Sequence, residues 1–109
     1  MFEKSKADVA FMEGDYESAA QMYLEGAREG DALASFNYGY CLLTASGAPY
    51  DPREAKSYFA FARDLEGGEA CYNLAVMYLH GDGVKRDYRK CYGYMRDAAD
   101  LGCIEAQLY

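Results

Sequence analysis

The chain of 109 residues is long enough for one domain, and its hydrophobic share of 51% indicates a packed core. Its 18 Asp and Glu residues outnumber its 11 Lys and Arg residues and give a net charge of -7. This balance argues against binding to nucleic acid or to anionic membranes, which favour a basic protein surface, and a basic or neutral protein partner fits it better.

The first residues of the chain, Met1-Phe2-Glu3-Lys4-Ser5-Lys6, lack the apolar core of a signal peptide. No later stretch is apolar over enough residues to span a bilayer. We therefore expect a cytoplasmic protein.

A chemical pattern recurs along the chain at a spacing of 36 residues, the distance from Ala34 to Ala70. A fixed period of this length is typical of repeat proteins built from stacked supersecondary units. The main positions that keep it are Ala34, Ala70 and Ala106; Asp15, Asp51 and Asp87; Ala19, Ala55 and Cys91; Asn37 and Asn73; Tyr58 and Tyr94; Ala62 and Ala98; and Leu65 and Leu101.

Taken in chain order, the pattern divides the chain into successive helix pairs within a single repeat domain. Residues 1–30 form a first pair with a short turn, residues 31–68 a second pair and residues 69–103 a third, while residues 104–109 begin a further repeat helix. Turn-forming Gly residues separate the units, and no alternating strand pattern competes with the helical periodicity.

The two helices of each unit differ in how their apolar residues are distributed. In the second helices these residues recur at i, i+3, i+4 and i+7, which predicts one buried stripe and one solvated face. Asp51 and Asp87 are placed to cap two of these helices, with Pro52 in a first turn. The first helices are apolar on two faces, which predicts neighbours on several sides or a ligand on one.

These residues resemble the Sel-one-like repeat, a branch of the tetratricopeptide superfamily. The segment from Glu69 to Gly102 is the clearest copy, and residues 31–68 are a divergent copy that lacks its Gly-x-Gly-Val turn. The matching positions are Ala70, Asn73-Leu74-Ala75, Tyr78, Gly81-Asp82-Gly83-Val84, Asp87, Lys90, Tyr94, Ala98-Ala99 and Gly102.

The resemblance implies an all-α, right-handed superhelix of antiparallel helix pairs whose first helices line a concave surface. It implies a scaffold or adaptor that binds a protein or peptide on that surface, with no catalytic residues to carry over. We also expect no metal and no cofactor, since the Cys residues have no metal-binding spacing. Aromatic anchors and Asn side chains suit the binding of an extended peptide. The residues expected at the concave face are Phe36, Asn37, Tyr40, Leu43, Tyr72, Asn73, Val76 and Leu79. An alternative is that the apolar members pack between adjacent units.

Two other functions stay open at this point. The chain could be a self-assembling unit or a fragment of a longer array, because Gln107-Leu108-Tyr109 leaves an apolar repeat without a cap, through which two copies could dimerise. It could also be a thiol-based redox or cofactor-assembly factor. The four Cys residues form no C-x-x-C motif, however, and we expect reduced thiols that pack as small apolar groups. His80 is the only His and is expected to end a helix beside Gly81.

Overall fold

The computed structural model describes residues 5–107, and every regular element in that range is a helix. Residues 1–4 and 108–109 lie outside the described residues, so the interpretations placed on the first residues and on Leu108 and Tyr109 are not addressed by it. The helices are α1 Lys6–Met12, α2 Tyr16–Arg28, α3 Ala32–Thr44, α4 Pro52–Phe61, α5 Glu69–His80, α6 Tyr88–Asp100 and α7 Ile104–Gln107.

Aspartate side chains start four of these helices. Asp51 accepts a hydrogen bond from the Glu54 backbone N–H at 3.0 Å, and Asp87 accepts one from that of Lys90 at 3.0 Å, so both predicted caps are confirmed. Asp15 caps α2 and Asp31 caps α3 in the same way. Each carboxylate satisfies a backbone donor that the helix itself leaves unpaired, and it adds negative charge where the helix dipole favours it.

Successive helices pack on one another from α1 to α7, which confirms the solenoid of helix hairpins. The core is divided into three clusters that follow one another along the chain. The N-terminal cluster centres on Ala19 and Tyr23, the middle cluster on Phe59 and Leu74, and the C-terminal cluster on Met95. A domain of this size gains most of its stability from burying such apolar surface continuously from one repeat to the next.

Small residues bring consecutive units into close contact. Ala34, Ala70 and Ala106 are all buried in the first turn of α3, α5 and α7. A Cβ atom added to Gly26 would lie only 2.7 Å from the Cβ atom of Ala34. The repeated alanines therefore mark equivalent contacts, as the 36-residue spacing predicts.

Within the second hairpin, Gly39 lets α3 approach α4 closely. A Cβ atom at Gly39 would lie 3.0 Å from Cε1 of Phe59 and 3.3 Å from the carbonyl oxygen of Ala55. Phe59 is completely buried, so its ring has little room to move.

We predict that Gly39→Leu lowers the free energy of unfolding by about 1–3 kcal/mol, because the larger side chain overpacks this contact. Gly93→Leu is the matched control, since Gly93 lies in α6 and a Cβ atom there has no neighbour within 4 Å. It should raise stability by up to about 1 kcal/mol through helix propensity. Urea unfolding curves measure both values, and equal effects of the two substitutions would contradict the close packing of α3 on α4.

Candidate binding groove on the first helices

A cavity of about 250 Å³ opens between the first helices of successive units. Phe36, Asn37 and Tyr40 line it from α3, and Phe11 closes it from α1. Tyr40 is 43% exposed, and its ring centroid lies 6.5 Å from that of Phe11. An exposed tyrosine and a half-buried phenylalanine beside an amide side chain can bury an apolar group of a ligand and also hydrogen-bond its backbone.

A second cavity of about 280 Å³ adjoins the first, because Tyr23 and Asn37 line both. Its walls include Met22, which is 38% exposed, and the acidic residue Asp31. The two cavities form one depression, called here the groove, that extends along α3.

Only some of the residues that the sequence predicts at the concave face line the groove. Phe36, Asn37 and Tyr40 line it. The other expected residues do not line these two cavities: Leu43 packs against the middle core cluster, Tyr72 and Leu79 pack against the C-terminal cluster, and Asn73 and Val76 are half-buried.

Several groove residues are not in the expected set. Phe11, Tyr23 and Glu69 line the first cavity, and Glu69 supplies an exposed carboxylate at its edge. The turn between α1 and α2 is four residues shorter than the turn between α3 and α4. Once that difference is allowed for, Phe11 takes the repeat position of Leu43, so an alignment of helix ends would have found it.

Tyr23 fixes the floor of the groove to α1. Its hydroxyl donates a hydrogen bond to Oδ1 of Asp8 at 2.5 Å. Burial raises the pKa of Tyr23 well above its usual value, and the hydrogen bond and the negative charge of Asp8 raise it further. The phenol therefore stays neutral and holds α1 in place beside the aromatic residues of α3.

The four cysteines are free and buried, in agreement with the sequence interpretation. Burial raises the pKa of Cys41 to about 11 and that of Cys71 to about 11, and it also raises the pKa of Cys91. The Cys71 thiol donates to the carbonyl oxygen of Arg63 at 3.0 Å. The raised pKa values of Cys41, Cys71 and Cys91 lower their thiolate fraction, on which redox and nucleophilic chemistry depend.

His80 ends α5 and is followed by Gly81, as the sequence predicts. It is exposed, and within residues 5–107 no group of three or more His, Cys, Asp and Glu side chains is arranged to hold a metal ion. In the same range, no helix has both the length and the apolarity needed to cross a bilayer.

Comparison with protein families assigns the fold. The family model of the Sel1 repeat, which describes the sequence pattern of that family, matches three successive segments of the chain, residues 10–31, 32–66 and 68–103. The chain belongs to the Sel1 repeat family. The resemblance inferred from the sequence is thus confirmed, and the family is one whose domains generally mediate protein–protein interactions as non-catalytic scaffolds.

Curated relatives of this Sel1 repeat domain are much longer than the chain itself. Human protein sel-1 homolog 2 is 30% identical over 88 residues, which is 80% of this chain and 13% of that protein. HcpC of Helicobacter pylori, whose name proposes a beta-lactamase, is 42% identical over 40 residues, or 37% of this chain and 14% of HcpC.

Solved structures of Sel1 repeat proteins have the same fold. A Sel1 repeat protein from Oxalobacter formigenes superposes with a TM-score of 0.76 and 28% identity, over 83% of this chain and 37% of that one. A protective antigen of uropathogenic Escherichia coli that displays an SLR fold gives a TM-score of 0.85 at 24% identity, over 94% of this chain and 22% of the antigen. The antigen supports the fold alone.

The buried thiols lead to a pH prediction. The folded state keeps Cys41 and Cys71 neutral up to a pKa of about 11, whereas the unfolded thiols ionise at their ordinary pKa of 9.0. The contribution of these two thiols to folding stability is therefore complete below pH 9 and is lost as the pH rises from 9 toward 11. We expect the free energy of unfolding to be level near pH 7 and to fall between about pH 9 and 11. Urea unfolding across this range measures it.

A Cys41→Ala/Cys71→Ala variant is the control for that decline. It should show a smaller loss of stability above pH 9, with a remainder from buried tyrosines such as Tyr23. At pH 7 the native thiols should react slowly with a disulfide reagent and quickly once unfolded. Rapid labelling of Cys71 in the folded protein would contradict the assignment of inert, packed thiols.

Proposed function

We propose that this Sel1 repeat domain is a scaffold or adaptor that binds a segment of a partner protein along the groove. The observation that carries the proposal is the exposed Tyr40 ring beside Phe36, Phe11 and Asn37, in a depression that no side chain of the described residues fills. Rigid aromatic side chains in such a position supply much of the energy of protein interfaces.

The groove also suggests the chemistry of its partner. Phe36 is held in place by Phe59, whose ring centroid lies 5.7 Å away, so the apolar floor is already in position before binding. Acidic side chains stand at the edges, with Glu69 at one cavity and Asp31 at the other. An extended segment with an aromatic or aliphatic anchor and neutral or basic neighbours is complementary to this surface.

The predicted concave-face residues that do not line the groove could contact a longer bound segment. Asn73 and Val76 lie on α5, the next first helix along the solenoid, and both are half-buried. A segment longer than the groove would continue over them, as extended ligands follow the concave face of a solenoid. Tyr72 and Leu79 would border this continuation from positions that also pack on the core.

We infer that the domain itself is not an enzyme and works in a reducing compartment such as the cytoplasm. The free, buried state of the four cysteines supports a reducing environment, and the raised pKa values of Cys41 and Cys71 make these two thiols poor nucleophiles. The activity in the name of HcpC does not extend to this chain on a match that covers 37% of it.

Tyr40→Ala is the direct test of the groove. Peptides selected from a random phage-displayed library on the immobilised domain should share an apolar anchor with Lys or Arg close by, and Tyr40→Ala should weaken their binding about tenfold or more. Fluorescence anisotropy with the labelled peptides measures the affinity.

Tyr88→Ala is the matched control for this experiment, because Tyr88 is 53% exposed at the start of α6 and lies outside the groove. It should leave the affinity unchanged. Circular dichroism of both variants checks that helicity is kept. Peptides that bind Tyr40→Ala as tightly as the unchanged domain would overturn the groove as the binding site.

A second candidate function is self-association, which the last repeat favours. Tyr92 and Ile104 are 67% and 70% exposed near the C-terminal end of the described chain. An adjacent cavity of about 620 Å³ is lined mainly by apolar surface, including Met95 and Ala106. Repeat ends of this kind are normally covered by a further unit or by another chain.

Tyr92→Glu/Ile104→Glu tests this second candidate, because two buried carboxylates would disfavour an apolar interface. Sedimentation equilibrium of the unchanged domain should show a dimer at high concentration, and the double variant should be monomeric. A domain that stays monomeric at every concentration would remove self-association, and it would leave the groove proposal untouched.

A further inference from the structure

A cavity of about 550 Å³ between the start of α4 and the loop that joins α5 to α6 shares no lining residue with the groove and is lined by five basic side chains. This surface is called here the basic cleft. Its basic residues are Arg53, Lys56, Lys85, Arg86 and Lys90. They are five of the 11 Lys and Arg residues in a chain that carries 18 acidic residues, so the positive charge is concentrated well beyond an even distribution.

The cleft is built by the fold rather than by one run of sequence. Arg53 and Lys56 come from the first two turns of α4, Lys85 and Arg86 from the loop before α6, and Lys90 from the first turn of α6. These elements meet because Gly83 lies against the start of α4: a Cβ atom there would be 2.6 Å from the backbone nitrogen of Arg53.

The floor of the cleft is Tyr78, which is only 5% exposed. The Nζ atoms of Lys56 and Lys90 lie 6.0 Å and 5.3 Å from the centroid of its ring. Two ammonium groups therefore share one aromatic ring, which partly offsets their mutual repulsion through cation–π attraction and keeps both near the cavity.

These five cations have no acidic partner in the described part of the chain, where none of their side chains forms an ion pair. Among the described residues, Asp87 is the only carboxylate that lines the cleft, and its Oδ1 atom accepts a hydrogen bond from the Lys90 backbone N–H at 3.0 Å as the cap of α6. The cleft thus keeps a strong positive potential that a bound anion would neutralise.

We propose that the basic cleft binds an anionic segment of a partner protein, one that carries clustered carboxylates or a phosphorylated side chain. Arg and Lys side chains recognise both groups by charge-assisted hydrogen bonds. Four of the five basic residues are exposed, with Lys56 half-buried. Small-molecule sites usually enclose most of their ligand, so a surface of exposed cations is better suited to a chain segment that passes over it.

This inference rests on the proposed function only in that the occupant belongs to a protein partner. The groove favours a neutral or basic segment, whereas the cleft requires an acidic one. The two surfaces also use different side chains, so either can fail in an experiment without the other.

The probe is a fluorescein-labelled Gly-Ser peptide made in three forms: with a central run of Asp, with a single phosphoserine flanked by Asp, and without acidic residues. We expect the acidic forms to bind the unchanged domain with an affinity that falls as salt is added, and the neutral form not to bind. The comparison of Asp with phosphoserine identifies which anion the cleft prefers.

Arg53→Glu/Lys90→Glu reverses two charges of the cleft and should weaken binding of the acidic peptides about tenfold or more. Both sites lie in first helical turns, where a Glu is favourable, so the variant should fold. Lys6→Glu/Arg96→Glu is the control, since it changes the net charge equally at exposed positions elsewhere. Tyr40→Ala should bind the acidic peptides normally.

Two outcomes would overturn the proposal, and a phosphate control separates two forms of the first. The acidic peptides could fail to bind, or the cleft variant and the control could weaken binding equally, which would indicate a response to net charge. Inorganic phosphate could also bind, detected by calorimetry, while neither acidic peptide does. That result would assign the cleft to a small anion and not to a protein segment.

Discussion

The close approach of consecutive repeats through small side chains is the constraint on which the rest of this structure depends. At each junction between two units, a Gly or Ala lies near the end of the second helix of one unit. It shares a contact region with an Ala at the start of the first helix of the following unit. The pairs are Gly26 with Ala34, Ala62 with Ala70, and Ala98 with Ala106. A larger residue would separate the units and open the core at that point, so each pair sets how the next hairpin is placed.

With the hairpins placed in this way, the two helices of a unit have different surroundings. The second helices α4 and α6 bury one stripe and expose the rest, while α3 and α5 have neighbours on more sides. The aromatic residues of α3 that no neighbour fully covers then form a groove with α1. A binding surface in such a fold therefore arises where neighbouring helices leave apolar side chains of a first helix partly uncovered, and it needs no dedicated loop.

The sequence predicts the features that repeat and misses those that depend on a local departure from the repeat. The 36-residue spacing was sufficient for the hairpins, the Asp51 and Asp87 caps and the buried alanines. It did not identify Phe11, because the short turn after α1 shifts that helix against the others. For Tyr72 the sequence left open a place at the concave face or packing between units, and the structure shows contact with the C-terminal cluster, which depends on several helices at once.

The distribution of charge is another feature that the sequence alone does not show. The net charge of -7 describes the whole chain, but the five cations around Tyr78 come from two units and meet only because Gly83 rests on the start of α4. The solenoid thus separates an acidic-edged groove on its first helices from a basic cleft at the N-terminal ends of its second helices. A partner that presents a basic and an acidic segment at matching separation would engage both, and linkage of two weak contacts raises affinity far above that of either one. Opposite charge preferences would also fix the direction in which such a partner lies along the domain.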